Sequence, residues 1–151
     1  PQILSKPGRL DEEERWQVEK HVDAGLGILE SLQLDAKVKQ LILHHHENFD
    51  GSGYPVGLAG EAIPLGSRLV RLADSLSSLL SPRPWRPAMG LDEALNVIRR
   101  GIGREYCPRM ATVFLEEAEA RRERIMDLQA KNGGTADLNR MPLDRGTPVL
   151  V

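Results

Sequence analysis

The signals that start and stop helices constrain this chain more than any other feature of its sequence. Asp11 precedes three acids, and Glu14 stands at the spacing of a capping box. That pattern predicts a helix running to about Lys20, with its acids at the favourable end of the helix dipole. A second helical piece, about Val22 to Leu32, carries Leu26, Leu29 and Leu32 at helical spacing. Asp35 is placed to cap a third helix. Its apolar stripe is Val38, Leu41 and Ile42, and His45 and His46 extend it by one turn. Residues 48–63 hold four glycines and no sustained period, which predicts an ordered loop. Pro64 suits the first turn of the next helix, whose expected buried face is Leu69, Leu72, Ala73, Leu76 and Leu80. Three prolines between Ser81 and Pro87 end it. A short helix follows over Leu91 to Arg100, stopping near Gly101 or Gly103. The last helix starts near Pro108 and runs through Val113, Phe114, Ala118, Ile125 and Leu128. No convincing sheet and no internal repeat are visible, so the expected class is all-α.

Composition removes several functional classes. A net charge of -2 offers no basic excess for a nucleic-acid polymer or an anionic membrane. The apolar runs are too short to span a bilayer, and no secretory leader pattern opens the chain. Cys107 is the single cysteine, so there is no internal disulfide framework. These absences favour the cytoplasm as the expected location. Gly133-Gly134 and two later prolines suggest that residues 131–151 form a tail or linker after a domain over residues 1–130.

Three of the four histidines are consecutive, His44 to His46, and an acid and a Gly-rich turn follow. On a helix, His45 and His46 would point about 100° apart. Such neighbours suit two ions side by side, or one ion and a substrate oxygen, better than chelation of a single ion. Imidazole combined with carboxylate suits iron, manganese or zinc. Asp74 follows the largely apolar Leu72-Ala73 and needs a partner if buried. His21 sits at the break between two helical pieces, where helix ends commonly line pockets.

Plainer readings stand beside these. A lone histidine on an apolar face is usually a satisfied core or surface residue. Asp74 could form an ordinary ion pair with Arg71 or Arg68. Asp50-Gly51-Ser52-Gly53 is a strong turn signal and lacks the ending of a phosphate-binding P-loop. Trp85 between prolines reads as a packing wedge, and Glu116 to Arg124 as a solvated helix face.

His45-His46-Glu47, two residues, then Asp50-Gly51-Ser52-Gly53-Tyr54-Pro55 resembles the signature of the HD-GYP domains. Lys6-Pro7-Gly8-Arg9-Leu10 resembles the segment after that family's HD motif. Gly57-Leu58, Gly60-Glu61 and Ile63-Pro64 resemble its post-GYP loop, and Arg68 to Asp74 its next helix. Arg83-Pro84-Trp85-Arg86 and Glu93-Ala94-Leu95 continue the likeness, which covers Ile3 to about Leu115. The resemblance implies an all-α, HD-domain-like helical bundle, here N-terminally truncated or degenerate. It implies hydrolysis of the phosphodiester bonds of cyclic di-GMP at a centre of two or three divalent ions, iron or manganese. His21, His45, His46 and Asp74 resemble metal ligands. Arg68, Tyr54 and Pro55 resemble residues that shape the substrate pocket. The GYP loop implies a possible GGDEF-domain partner.

The likeness is incomplete. No histidine here is followed by aspartate, so the HD dyad and its neighbouring ligands would lie upstream of Pro1. No catalytic residue beyond the ligands is assigned. Val22 stands where a proline commonly follows the histidine, Ser77 where a second aspartate is usual, and Cys107 where aspartate commonly precedes Pro108. Three expectations follow. The chain is part of a cyclic di-GMP phosphodiesterase with little activity alone, a degenerate binding or signalling module, or a helical bundle with vestigial histidines. Uncovered apolar faces would favour a homo-oligomer.

Overall fold

Asp11 caps the first helix as its sequence predicts. In the computed structural model, which describes residues 3, 6, 10–29, 32–83 and 86–132, its carboxylate accepts from the Glu14 N–H at 2.9 Å. The Glu14 carboxylate returns the contact, accepting from the Asp11 N–H at 2.9 Å. The box opens α1 (Glu12–Glu19), and α2 (His21–Leu29) follows after the break at Lys20. Asp35 caps α3 (Ala36–Leu43) by accepting from the Lys37 N–H at 2.7 Å. A short 3-10 turn at Gly60–Ala62 precedes α4 (Leu65–Leu80), with Pro64 as its N-cap. Then come α5 (Leu91–Arg100), α6 (Pro108–Ala120) and α7 (Arg122–Asn132).

The bundle is unevenly filled. Leu72, Leu76 and Leu79 of α4 meet Leu91, Ala94, Leu95, Val97 and Ile98 of α5 and Ala111, Leu115 and Ala118 of α6, with Tyr106 among them. These side chains form one continuous apolar core and supply most of the driving force for folding. By contrast α1 and α3 bury no residue, and α2 buries only Val22. The first three helices therefore lie as a thin layer against a well-packed second half. Arg86 ties off α4 by donating to the carbonyls of Leu79 and Ser78 at 3.1 and 3.0 Å. Gln129 of α7 donates to the carbonyls of Leu80 and Met89, which anchors α7 to the same corner.

The helical expectations hold with three corrections. First, α3 stops at Leu43, and His44 to His46 form a turn beyond it. Second, α4 buries Ser67, Arg71, Leu72, Ser75, Leu76 and Leu79, whereas Leu69 is 49% exposed and Ala73 is also exposed. The reason is polar. The Ser67 hydroxyl donates to the Gln40 and Leu41 carbonyls at the end of α3, and Arg71 reaches Asn48. Those contacts rotate the helix away from its leucine stripe. Third, the last helix is broken at Arg121, whose backbone leaves the helical region. Arg122 beyond the break pairs with Asp92 and Glu119 at 2.6 Å each.

Among the described residues there is no strand, only isolated bridges such as Asp50 with Ala59. No helix among them is long and apolar enough to cross a membrane. The expected packing role of Trp85 and the tail beyond Asn132 lie outside the described residues.

Candidate metal centre

The end of α3 decides how the histidines are used. His44 is the C-cap, and both its ring nitrogens are engaged: Nε2 with Gln40 Oε1 at 3.0 Å and Nδ1 with Glu47 Oε1 at 3.4 Å. It is buried and structural. His45 and His46 lie on the turn with ring centroids 3.9 Å apart, much closer than neighbours on a helix would bring them. His21, the first residue of α2, completes the group. One ligand nitrogen from each of His21, His45 and His46 lies within 4.8 Å of the others.

The protons on these rings are largely fixed by the backbone. His21 Nδ1 lies 2.5 Å from the Val18 carbonyl, and His45 Nδ1 lies 2.5 Å from the Ile42 carbonyl. A carbonyl only accepts, so each Nδ1 carries the hydrogen, and in a neutral ring that leaves the lone pair on Nε2. That is the tautomer a metal needs, held by the outer contact that metal-binding histidines usually make. His46 Nε2 and His21 Nε2 are 3.2 Å apart. Adjacent ligands at bond lengths of about 2.0–2.1 Å would be separated by about 3.0–3.4 Å, so the pair fits a shared cation. His46 Nδ1 is buried without a partner. Burial, then the charges of His45, Arg71 and His21, depress the His46 pKa to about 3, so the ring is neutral near pH 7. A neutral imidazole is the ligating form. The donor set fits a divalent transition metal.

The Gly-rich loop closes over the triad because Gly53 has no side chain. A Cβ there would stand 2.2 Å from the Asn48 nitrogen and 2.6 Å from both Glu47 Cα and the His46 oxygen. The loop can thus lie directly on the histidine turn, where the Tyr54 N–H donates to the His46 carbonyl. The Tyr54 ring then stacks on His46 at 4.9 Å and meets His21 edge-on at 6.5 Å. Burial pushes the Tyr54 phenol up to about 12, so it stays a protonated donor. Glu47 fixes the other side of the loop. Its buried carboxylate accepts from the N–H groups of Val56, Gly57 and Leu58 at 2.9, 3.0 and 3.1 Å.

Residues 2–110 match the HD domain family. The chain belongs to the HD domain family. The HD-GYP resemblance read from the sequence is borne out by the relatives. The chain is 44% identical over 115 residues to the cyclic di-GMP phosphodiesterase response regulator RpfG of Xanthomonas campestris, covering 75% of this chain and 30% of that protein. It is 39% identical over 142 residues to a cyclic di-GMP phosphodiesterase of Thermotoga maritima, covering 87% of this chain and 38% of the other. It is 39% identical over 101 residues to a 3'3'-cGAMP-specific phosphodiesterase of Vibrio cholerae, covering 67% and 23% of the two chains. In fold it resembles a crystal structure of a cyclic GMP-AMP specific phosphodiesterase from V. cholerae. The TM-score is 0.62 at 22% identity, over 90% of this chain and 33% of that one. The chain therefore spans well under half the length of these relatives.

Within this HD domain the expected site residues separate into groups. His21, His45 and His46 converge, and Tyr54 packs against them. Pro55 follows on the exposed part of the loop. Asp74 is exposed and outside the triad, although its charge is felt by the Tyr54 and Tyr106 phenols. It makes no ion pair with Arg71 or Arg68 among the described residues, so the plainer reading of a simple pair does not hold. Arg68 is turned to Glu61 Oε1 at 3.5 Å and Cys107 Sγ at 3.6 Å. Sequence reasoning gave no role to Glu47 or Asn48, and treated Arg71 only as an ion-pair partner. Glu47 stands three residues after His44, but nothing in a linear sequence reveals that its acceptors would be met by amides 9 to 11 residues ahead.

Proposed function

We propose that this chain is the part of a metal-dependent cyclic-dinucleotide phosphodiesterase that carries the paired histidines and the GYP loop, with cyclic di-GMP as substrate. The observation that carries this reading is the convergence of three imidazoles whose Nδ1 hydrogens, for His21 and His45, are already committed to backbone carbonyls. His21, His45 and His46 would hold a divalent cation, iron or manganese, and in the whole protein two or three such ions. Such a cation acidifies water and polarises a phosphodiester oxygen. Asp74 is a fourth proposed ligand, supported by its place on α4, the helix whose Arg71 reaches Asn48 beside the histidine turn. Tyr54 stacks beside the ligands and offers a protonated hydroxyl to the substrate pocket, with Pro55 and Arg68 as further lining. The domain proper is taken as residues 1–130, with 131–151 as a tail. The cytoplasm suits a second-messenger hydrolase, and a GGDEF-domain partner would meet the exposed part of the GYP loop.

The triad has no carboxylate within its own circle, and neutral ligands alone leave a divalent charge uncompensated. Hydrolysis by this chain alone is therefore expected to be slight. The same observation favours, as second reading, a degenerate module that binds but does not cleave. Incubation of the 151-residue chain with cyclic di-GMP and Mn or Fe separates the cases. The expected result is metal uptake with little or no product, and uptake reduced at least tenfold in His45→Ala. Unchanged metal content in that variant overturns the ligand assignment. Brisk turnover by the isolated chain overturns the statement that its ligand set is insufficient.

A further inference from the structure

Every backbone N–H from Tyr54 to Leu58 turns back onto one of two adjacent residues. The Tyr54 N–H donates to the His46 carbonyl at 3.3 Å, and Pro55 has none to give. The Val56 N–H donates to Glu47 Oε1, and the Gly57 and Leu58 N–H groups donate to Glu47 Oε2. Gly57 adopts a φ of 78°, which its lack of a Cβ permits. Successive amides can then aim at one point, the geometry of a backbone nest that takes an anion. Here the anion is internal, since the Glu47 side chain is fully buried. Glu47 Oε1 also lies 3.4 Å from His44 Nδ1, and His44 Nε2 meets Gln40 on α3. The carboxylate is therefore braced from the helix side while it holds the loop tip. The outer surface of that tip, Pro55, Val56 and Gly57, is exposed. The consequence falls on Tyr54, whose ring stacks on His46 at 4.9 Å and 25°. Gly53 permits the close approach, but a glycine exerts no pull. The pull on the loop comes from Glu47. The metal-facing rings have a different support, because the Val18 and Ile42 carbonyls orient His21 and His45 from outside the loop.

We infer that Glu47 is a positioning residue for substrate binding: it fills a nest of loop amides with its own carboxylate, and so holds Tyr54 against His46 without ligating the metal. Hydrogen bonds to an ionised acceptor are the strong ones, and three of them converge on this side chain. Substrate affinity and metal affinity should then separate when Glu47 is changed. That the substrate is a cyclic dinucleotide rests on the proposed phosphodiesterase reading. The placing of Tyr54 by Glu47 does not.

The test has two arms, run on the full chain, Glu47→Gln and Glu47→Ala. Circular dichroism selects folded variants, and Glu47→Gln keeps the side-chain length, so the inference stays testable if Glu47→Ala does not fold. In the first arm, proton NMR of metal-free protein reads the His46 ring protons, which the stacked Tyr54 ring shifts upfield. Tyr54→Leu supplies the value without that ring. Both Glu47 variants are expected to move the His46 signals at least halfway to the Tyr54→Leu value. Signals unchanged from the parent in folded Glu47→Gln and Glu47→Ala overturn the inference. In the second arm, calorimetry of Mn-loaded protein reads cyclic di-GMP binding, and titration of the metal-free protein reads Mn affinity. Cyclic di-GMP is expected to bind about tenfold more weakly to Glu47→Ala and about threefold more weakly to Glu47→Gln, with Mn affinity changed by less than about twofold. Equal losses of Mn and cyclic di-GMP affinity would show that Glu47 acts through the ligands rather than the loop, and would also overturn it. If the parent itself does not bind cyclic di-GMP, the phosphodiesterase reading fails, and the His46 signals alone decide whether Glu47 places Tyr54.

Discussion

Glu47 is a fully buried carboxylate surrounded by three backbone amides and one imidazole. Each of those amides would be left in a poorly hydrated place if the acceptor were removed. Glu47→Gln keeps the shape but replaces one carboxylate oxygen with a donor facing N–H groups. It is expected to lower stability by about 2 kcal/mol, read as a shift of the urea midpoint at unchanged slope. A change within about 0.5 kcal/mol would mean the loop is not held through this side chain. At this scale the sequence was legible where chemistry repeats locally. Asp11 with Glu14 and Asp35 with Lys37 are contacts two or three residues long, and both formed. Glu47 was not legible, because its meaning depends on amides brought back by a turn. Nor was Arg71, since an arginine in a leucine-rich helix reads as surface until the helix is placed.

The loop from Asn48 to Ile63 and the turn before it behave as one element. Gly53 makes this possible by letting backbone rest on backbone. Gly53→Ala would drive a Cβ into the Asn48 nitrogen, and rigid backbone cannot yield as a flexible side chain could. The expected cost is about 3 kcal/mol or more, with loss of metal uptake, because the loop would have to lift from His46. Thermal melts and elemental analysis of that variant check both parts. A variant that melts and loads like the parent would show that the loop and turn are not in contact in solution. The helices themselves were largely legible from caps and apolar spacing, including α5 at both ends. The face of α4 was not. Periodicity counts leucines, whereas Ser67 and Arg71 were drawn inward by partners on other elements. The break at Arg121 was missed because a charged stretch carries no stop signal of its own.

Across the whole molecule, stability and chemistry are distributed unequally. The core belongs to α4, α5 and α6, while the layer that brings His21 contributes only Val22 to the buried set. Elements with few buried contacts open at lower free energy than the core. A cation shared by His21 and the histidine turn would stabilise the closed arrangement by mass action. Hydrogen exchange in α1 and α2 is therefore expected to slow at least tenfold when Mn or Fe is added. Exchange in α5 should change little, and His21→Ala should abolish the protection. Equal protection in that variant would place the metal elsewhere. The convergence of distant histidines was legible only through family likeness, since no linear pattern brings position 21 to position 46.

The concentration of the apolar core in α4 through α6 has a wider meaning for the chain's history. A scaffold whose buried set draws little on the segment bearing one imidazole has more room for drift, exchange or recruitment in that segment. Foldedness and reactivity can then be selected on separate schedules, so descendants of such a chain would be free to change what they do long before they ceased to hold together.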